Sequence, residues 1–208
     1  MKKFELTAEF TTNIFGEKMF RIKALIDFGG VKKDELGGFV EKEENLSHDG
    51  DAWVFDNAQV SGNAQVSGNA LVSGDAWVFG NAWVSGNAQV SGNAWVSGNA
   101  WVSDNAQVYD NAQVSGNAWV SGNAWVSGNA DYATVKGFGR YYRPTTFFRC
   151  KDKILRVQCG CFYGDLTQFR EIVKETHGNS KRAKEYLAIA DLMELHFSDS
   201  EEKQEASE

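Results

Sequence analysis

Every sixth residue from Val54 to Val126 is valine, and an alanine stands two positions before each one. The unit around them is nearly constant: Asn or Asp, Ala, a variable residue, Val, Ser or an aromatic, then Gly or Asp. It recurs thirteen times without a gap from Asp51. Ala-x-Val spacing puts both small apolar side chains on one side of a short strand and the variable residue on the other. The Gly-Asn and Asp-Asn pairs between strands tolerate positive φ, which a sharp corner requires. Three strands and three corners close a triangle of ~18 residues, so the pattern predicts a parallel hexapeptide β-helix, left-handed and triangular, around a thin Ala/Val interior. Thirteen to fourteen units make about four and a half coils, a shaft of roughly 22 Å at ~4.8 Å per coil. Val40 and Leu46, also six apart, start the periodicity a turn early, and the helix is assigned to 40–135.

The flanks have other periods. Phe4, Leu6, Ala8 and Phe10, and then Phe20, Ile22, Ala24 and Ile26, alternate with polar residues. That predicts two strands of a hairpin, with Gly16 in the turn. Residues 1–39 read as an N-terminal β cap, which an open stack needs to cover its bare end. Past Asn129 the repeat fades through Asp131-Tyr132-Ala133-Thr134-Val135. Residues 136–197 read as a C-terminal cap of a β-hairpin and two helices. Thr145–Cys150 and Ile154–Cys159 are its strands, turning at Lys151-Asp152-Lys153. Asp165 caps a helix from Leu166 to about His177, ended by Gly178, and Ser180 caps a second helix to about Phe197. Ser198–Glu208 has no large apolar residue and reads as a disordered acidic tail. The fold class is mainly β, with a small α+β end.

Charge changes the picture locally. The net charge of the 208 residues is −7, but residues 51–135 hold six Asp and no Lys or Arg, whereas 136–160 hold seven Lys or Arg and one Asp. The acidic total argues against broad coating of nucleic acid, and the basic segment leaves room for a small anionic contact. Three cysteines, an odd number, suit a reducing compartment better than a disulfide framework. No apolar stretch of leader length follows Met1-Lys2-Lys3-Phe4, and none approaches ~18 residues, so neither a leader nor a membrane helix is expected and the localisation is cytoplasmic.

Ile26-Asp27-Phe28, Leu36-Gly37-Gly38-Phe39-Val40-Glu41, Glu44-Asn45-Leu46-Ser47 and Gly50-Asp51-Ala52-Trp53-Val54 resemble the start of a family of bacterial and phage hexapeptide-repeat proteins. Its members are described as polymer-forming, as YdcK-like or as transferases. Val157-Gln158-Cys159-Gly160-Cys161-Phe162, Lys174-Glu175-Thr176-His177-Gly178 and Ala183-Lys184-Glu185-Tyr186 resemble a C-terminal module of the phage and prophage versions. The resemblance spans nearly the whole chain. It implies the β-helix fold and a phage or prophage origin, and it carries little mechanism.

The variable position holds the tryptophans. Sorted by coil, a first face carries Gln65, Trp83, Trp101 and Trp119. A second carries Gln59, Trp77, Trp95 and Gln113, and a third carries Trp53, Leu71, Gln89, Gln107 and Trp125. Outward-pointing Trp at ~5 Å spacing makes an amphipathic stripe suited to a protein partner, a second copy or a carbohydrate. The plainer reading is a ring ladder that stabilises a thin helix. Trp83, Trp101, Trp119, Trp77 and Trp95 are therefore the candidate partner or self-association residues. Arg140, Arg143, Arg149 and Lys151, mixed with Tyr141, Tyr142, Phe147 and Phe148, are the candidate anion or nucleic-acid contacts; an ordinary hairpin with charged outer positions is the favoured reading.

Hexapeptide-helix acyltransferases, which this shaft resembles, imply a His base beside an inserted loop. The repeat has neither, and His48, His177 and His196 lie in the caps, so no catalytic residue is assigned. Cys159-x-Cys161 with Cys150 and His177 lacks the paired spacing of a zinc site, and no metal or cofactor is expected. The expectation is a non-enzymatic protein-interaction protein of phage or prophage origin, a homo-oligomer or a binder of a host protein. Inhibition of a host defence system is the role that context suggests. Transfer of an acyl or sugar group, and nucleic-acid or nucleotide binding through 136–156, are the alternatives.

Overall fold

The structure, a computed structural model, describes residues 1–205, with side chains through Ser198. It opens with β1 (Phe4–Thr12), β2 (Lys18–Ala24) and β3 (Leu36–Val40). Thirteen two-residue strands follow every six residues, from β4 (Trp53–Val54) to β16 (Trp125–Val126). They stack in parallel into three sheets, one for each face, forming a β-solenoid of about five turns. The register is 18 residues per coil: Gln65 pairs with Trp83, Trp101 with Trp119, Trp77 with Trp95. Every Ala and Val of the repeat points inward and is at most 1% exposed.

The N-terminal strands continue one of these sheets. β1 pairs antiparallel with β2 and β2 with β3, while β3 runs parallel to the shaft, Phe39 opposite Gln59 and Val40 opposite Val60. Leu46 bridges Val66, so the coiling begins at Val40 and Leu46, a turn ahead of the perfect repeat. Only the first half of β1 obeys the expected alternation. Phe4 is buried, but the register slips between Leu6 and Phe10, and Phe10 is exposed.

Hydrogen bonding dictates what the two caps must provide. Outside the strands, the Asn and Ser N–H groups of one coil donate to the Gly and Val carbonyls of the next, as do Asn63 to Gly80 at 2.7 Å and Ser67 to Val84 at 3.0 Å. The first coil is thus left with carbonyls to satisfy and the last with N–H groups. The N-terminal cap supplies donors. Lys3 Nζ reaches the carbonyls of Gly50 and Ala52 at 3.1 and 2.8 Å, and Asn45 Nδ2 reaches those of Gly62 and Ala64 at 3.2 and 2.9 Å. The C-terminal cap supplies acceptors: Asn129 Oδ1 for Gln113 N–H at 2.9 Å, Tyr132 Oη for Ser115 N–H at 3.3 Å, and Thr146 Oγ1 for Trp119 N–H at 3.0 Å. Corner asparagines add a second ladder, Asn63 to Asn81 to Asn99 to Asn117, with steps of 3.1, 3.2 and 3.5 Å.

The expected C-terminal hairpin is the centre of a four-stranded antiparallel sheet, β17 (Tyr132–Val135), β18 (Thr145–Arg149), β19 (Leu155–Cys159) and β20 (Phe162–Asp165), in that order. β17 belongs to this sheet, although the sequence pattern placed 132–135 in the fading repeat. β18 is two-sided. Phe148, with Cys150 just beyond it, closes the end of the shaft core, while Phe147 joins Val157, Phe169 and Ala190 beneath the helices. Helix α1 (Leu166–His177) starts at Asp165, whose carboxylate accepts from Gln168 N–H at 2.8 Å, and ends at Gly178. Helix α2 (Lys181–Glu205) runs past Phe197. It takes in 198–205, where the sequence reading expected a disordered tail; residues 206–208 of that tail lie outside the described residues. Among the described residues no helix is long and apolar enough to cross a membrane.

Candidate functional site

The three faces do not offer their tryptophans equally. Trp53, expected to point outward, is 0% exposed. The N-terminal cap folds over it, with Phe4 and Phe28 edge-on at 6.3 and 5.3 Å. On the second face Trp77 lies parallel to Trp95 at 5.4 Å. The β1–β2 turn reaches down to them, and Phe15 rests against Trp77 at 6.5 Å and Phe79 at 5.5 Å. Both indoles are half-buried. The first face differs. Trp119 stacks under Trp101 at 4.9 Å beside β18 and is half-buried, but Trp83 and Trp101 are 46% and 37% exposed. Trp83 meets Trp101 at 72° and 5.7 Å, and Trp101 Nε1 donates to Ser85 Oγ at 3.2 Å. Of the five candidate tryptophans, these two form an open pair on adjacent rungs. Repeat position alone could not distinguish them, because coverage depends on how far each cap reaches along the shaft.

The basic candidates are separated. Arg140 and Arg143 sit in the exposed loop before β18, each with its guanidinium about 5 Å from the Tyr141 ring. Lys151 lies beyond the far end of β18, its ammonium 5.6 Å from the Trp125 ring centroid. Five strand residues separate the two groups, roughly 17 Å of chain. Arg149 is a structural group. It donates to the Phe197 carbonyl at 2.5 Å, faces the Asp131 carboxylate at 3.8 Å, and lies over the Phe197 ring. Arg156 pairs with Asp152 at 2.7 Å.

The cap histidines have partners. His48 Nδ1 accepts from Lys3 N–H at 3.3 Å, and Nε2 faces Glu43 Oε1 at 2.7 Å, so neither nitrogen is left to take a substrate proton. Hydrogen bonds from Lys2 and then His48 hold the Glu43 carboxyl below its usual range. His177 stacks on Tyr186 at 5.9 Å. The cysteines do not share a side. Cys150 is buried, which pushes its thiol up to about 11, and Cys161 is exposed in the turn after β19. Gly160, at φ +60°, turns the chain between Cys159 and Cys161. Among the described residues no three His, Cys, Asp or Glu side chains gather where they could hold a metal ion.

Four stretches of the shaft, 64–80, 88–104, 106–120 and 112–128, match a family described as YdcK Beta solenoid repeat. No curated protein matches the chain.

Proposed function

On the premise that the chain belongs, through its repeats, to the YdcK β-solenoid repeat family, we propose that it is a non-enzymatic interaction protein whose rigid shaft offers the first face to a protein partner. The observation behind this reading is the open Trp83–Trp101 pair. Neither ring has a cap aromatic against it, whereas Trp77 lies under Phe15 and Trp53 under Phe4 and Phe28. Exposed aromatic surface on a rigid sheet, flanked by side-chain amides, is the composition of an interface centre. The partner is a second copy of the chain or a host protein. Nucleic acid is less favoured because the basic groups are divided between two ends of β18. Resemblance of both flanks to phage and prophage proteins supports such an origin and a place in the bacterial cytoplasm. In that setting a host defence enzyme is the partner class suggested.

Light scattering and affinity capture from host lysate, each run on wild type and on Trp83→Gln/Trp101→Gln, test the reading. Gln already stands at this face in Gln65, so the coil should persist. Loss in the variant of a wild-type oligomer, or of a specific captured protein, is the expected result. Identical masses and identical captured proteins for both would refute it.

A further inference from the structure

The β18–β19 turn overhangs the last rungs of the third face and leaves a cleft of about 410 Å³, lined by Asn105, Gln107, Asn123, Trp125, Lys151 and Asp152. The Lys151 N–H, donating to the Asn123 carbonyl at 3.3 Å, fixes the turn against the corner of the shaft. Trp125 is 37% exposed, and its rung partner on this face is Gln107. Its indole therefore has no parallel ring partner, unlike Trp77 on Trp95 or Trp101 on Trp119, whose ring faces cover each other. Tyr109 leans toward it at 5.8 Å and 41°.

The polar groups around that ring are mixed in kind. Asn105 Oδ1 is taken by Asn87, which leaves its amide hydrogens for the cleft. The side-chain amides of Gln107 and Asn123 can each donate and accept, and Lys151 only donates. Asp152 accepts, with its carboxylate oriented by Arg156 at 2.7 Å and by the Ile154 N–H at 3.0 Å.

We infer that this cleft is a saccharide-binding site. One sugar ring lies with its C–H face on the Trp125 indole, moving aside the flexible Lys151 ammonium that stands over that ring at 5.6 Å, and its hydroxyls exchange hydrogen bonds with the surrounding amides, Lys151 and Asp152. Other ligand chemistries fit the lining worse. A phosphate would meet the Asp152 carboxylate. An acyl chain would find little apolar surface beyond one indole. A neutral polyol needs a single apolar platform and a ring of mixed donors and acceptors, in a cleft shallow enough for a ligand that stays partly hydrated. In the stacked tryptophan pairs of the other faces one face of each ring is covered by its partner.

The test is a glycan array probed with the intact chain, with each retained glycan titrated by calorimetry against wild type and three variants. Wild type is expected to retain at least one class of glycan. Trp125→Gln should weaken binding by about tenfold or more. Gln is native at Gln89 and Gln107 of the same face, and circular dichroism checks that the coil survives. Trp125→Phe keeps a platform and should retain most of the affinity, and Trp83→Gln should change nothing. The inference is overturned if no glycan is retained, if Trp125→Gln binds like wild type, if Trp83→Gln abolishes binding, or if adenosine monophosphate is bound at Trp125 in place of a sugar.

Discussion

The indole of Trp101 lies parallel to that of Trp119, 4° apart in plane and 4.9 Å between centroids. The pair sits where shaft and C-terminal cap meet, because the backbone N–H of Trp119 donates to Thr146 Oγ1. Ring position therefore grades energetic importance along one face. Trp83→Gln removes a half-exposed ring and should cost less than ~1 kcal/mol, whereas Trp119→Gln uncovers both Trp101 and β18 and should cost about 2 kcal/mol. Urea denaturation midpoints of the two variants would establish the order, and equal costs would contradict it.

Lys3 is 2% exposed, between the carbonyls of Gly50 and Ala52 and the ring of Phe28. Burial pulls its ammonium down to about 8 from 10.5, against the smaller upward pull of Asp51 and Asp49. The folded state gives up this proton more readily than the unfolded chain. The cost of burying the charge is therefore fully present below pH 8 and is relieved as pH rises toward 10.5. Relative to Lys3→Met, wild type should gain on the order of 1–2 kcal/mol between pH 7.5 and pH 10, since the neutral amine still donates to both carbonyls. Parallel pH profiles of the two proteins would defeat this account.

At the start of β3 the backbone packs directly on the shaft. A Cβ at Gly38 would stand 2.6 Å from the Ala58 carbonyl oxygen and 2.9 Å from that of Phe55, and one at Gly37 would stand 2.6 Å from that of Val54. None of these oxygens can move without breaking the coil. Gly38→Ala should lose about 3 kcal/mol or more, whereas Gly30→Ala, with nothing within 4 Å of its Cβ, should fall within ~0.5 kcal/mol of wild type. Thermal melting of both variants decides the matter.

Arg149 ties α2 to the sheet through the Phe197 carbonyl and Asp131. Arg149→Ala should lower stability by about 1–3 kcal/mol and speed proteolysis within α2, while Arg140→Ala/Arg143→Ala stays near neutral. Limited trypsin digestion followed by mass spectrometry would show the difference. Equal protection of all three proteins would remove the structural role assigned to Arg149.

What the chain discloses by pattern depends on the range of the interactions. Rung register, inward Ala and Val, corner asparagines and the ends of α1 follow from neighbours at fixed spacing, so Val66, Asn81, Asp165 and Gly178 could be placed from sequence. Features set by the reach of one element over another could not. Trp53 shares its Asp-Ala-Trp-Val-Phe context with the half-buried Trp77, and only the fold of the cap buries it completely. Phe147 and Phe148 are adjacent apolar residues that face different cores, which alternation alone reads as one buried strand. β17 and β20 are four residues each, too short to declare themselves without their partners. At the candidate surface, the tryptophans were visible as a class. Their division into a covered set, an open Trp83–Trp101 pair and an exposed Trp125 came from the caps.

The 18-residue register also makes shaft length a quantised quantity. The C-terminal sheet grips particular corners of the last coil, through Ala124 against Cys150 and Thr146 beneath Trp119. Inserting or deleting a single hexapeptide would rotate those corners by a third of a turn and present the sheet with the wrong ones. Three hexapeptides at a time would leave every contact at both ends in place and simply lengthen or shorten the rod by one step. A change of repeat number that keeps both caps seated therefore resizes the shaft in one-coil increments.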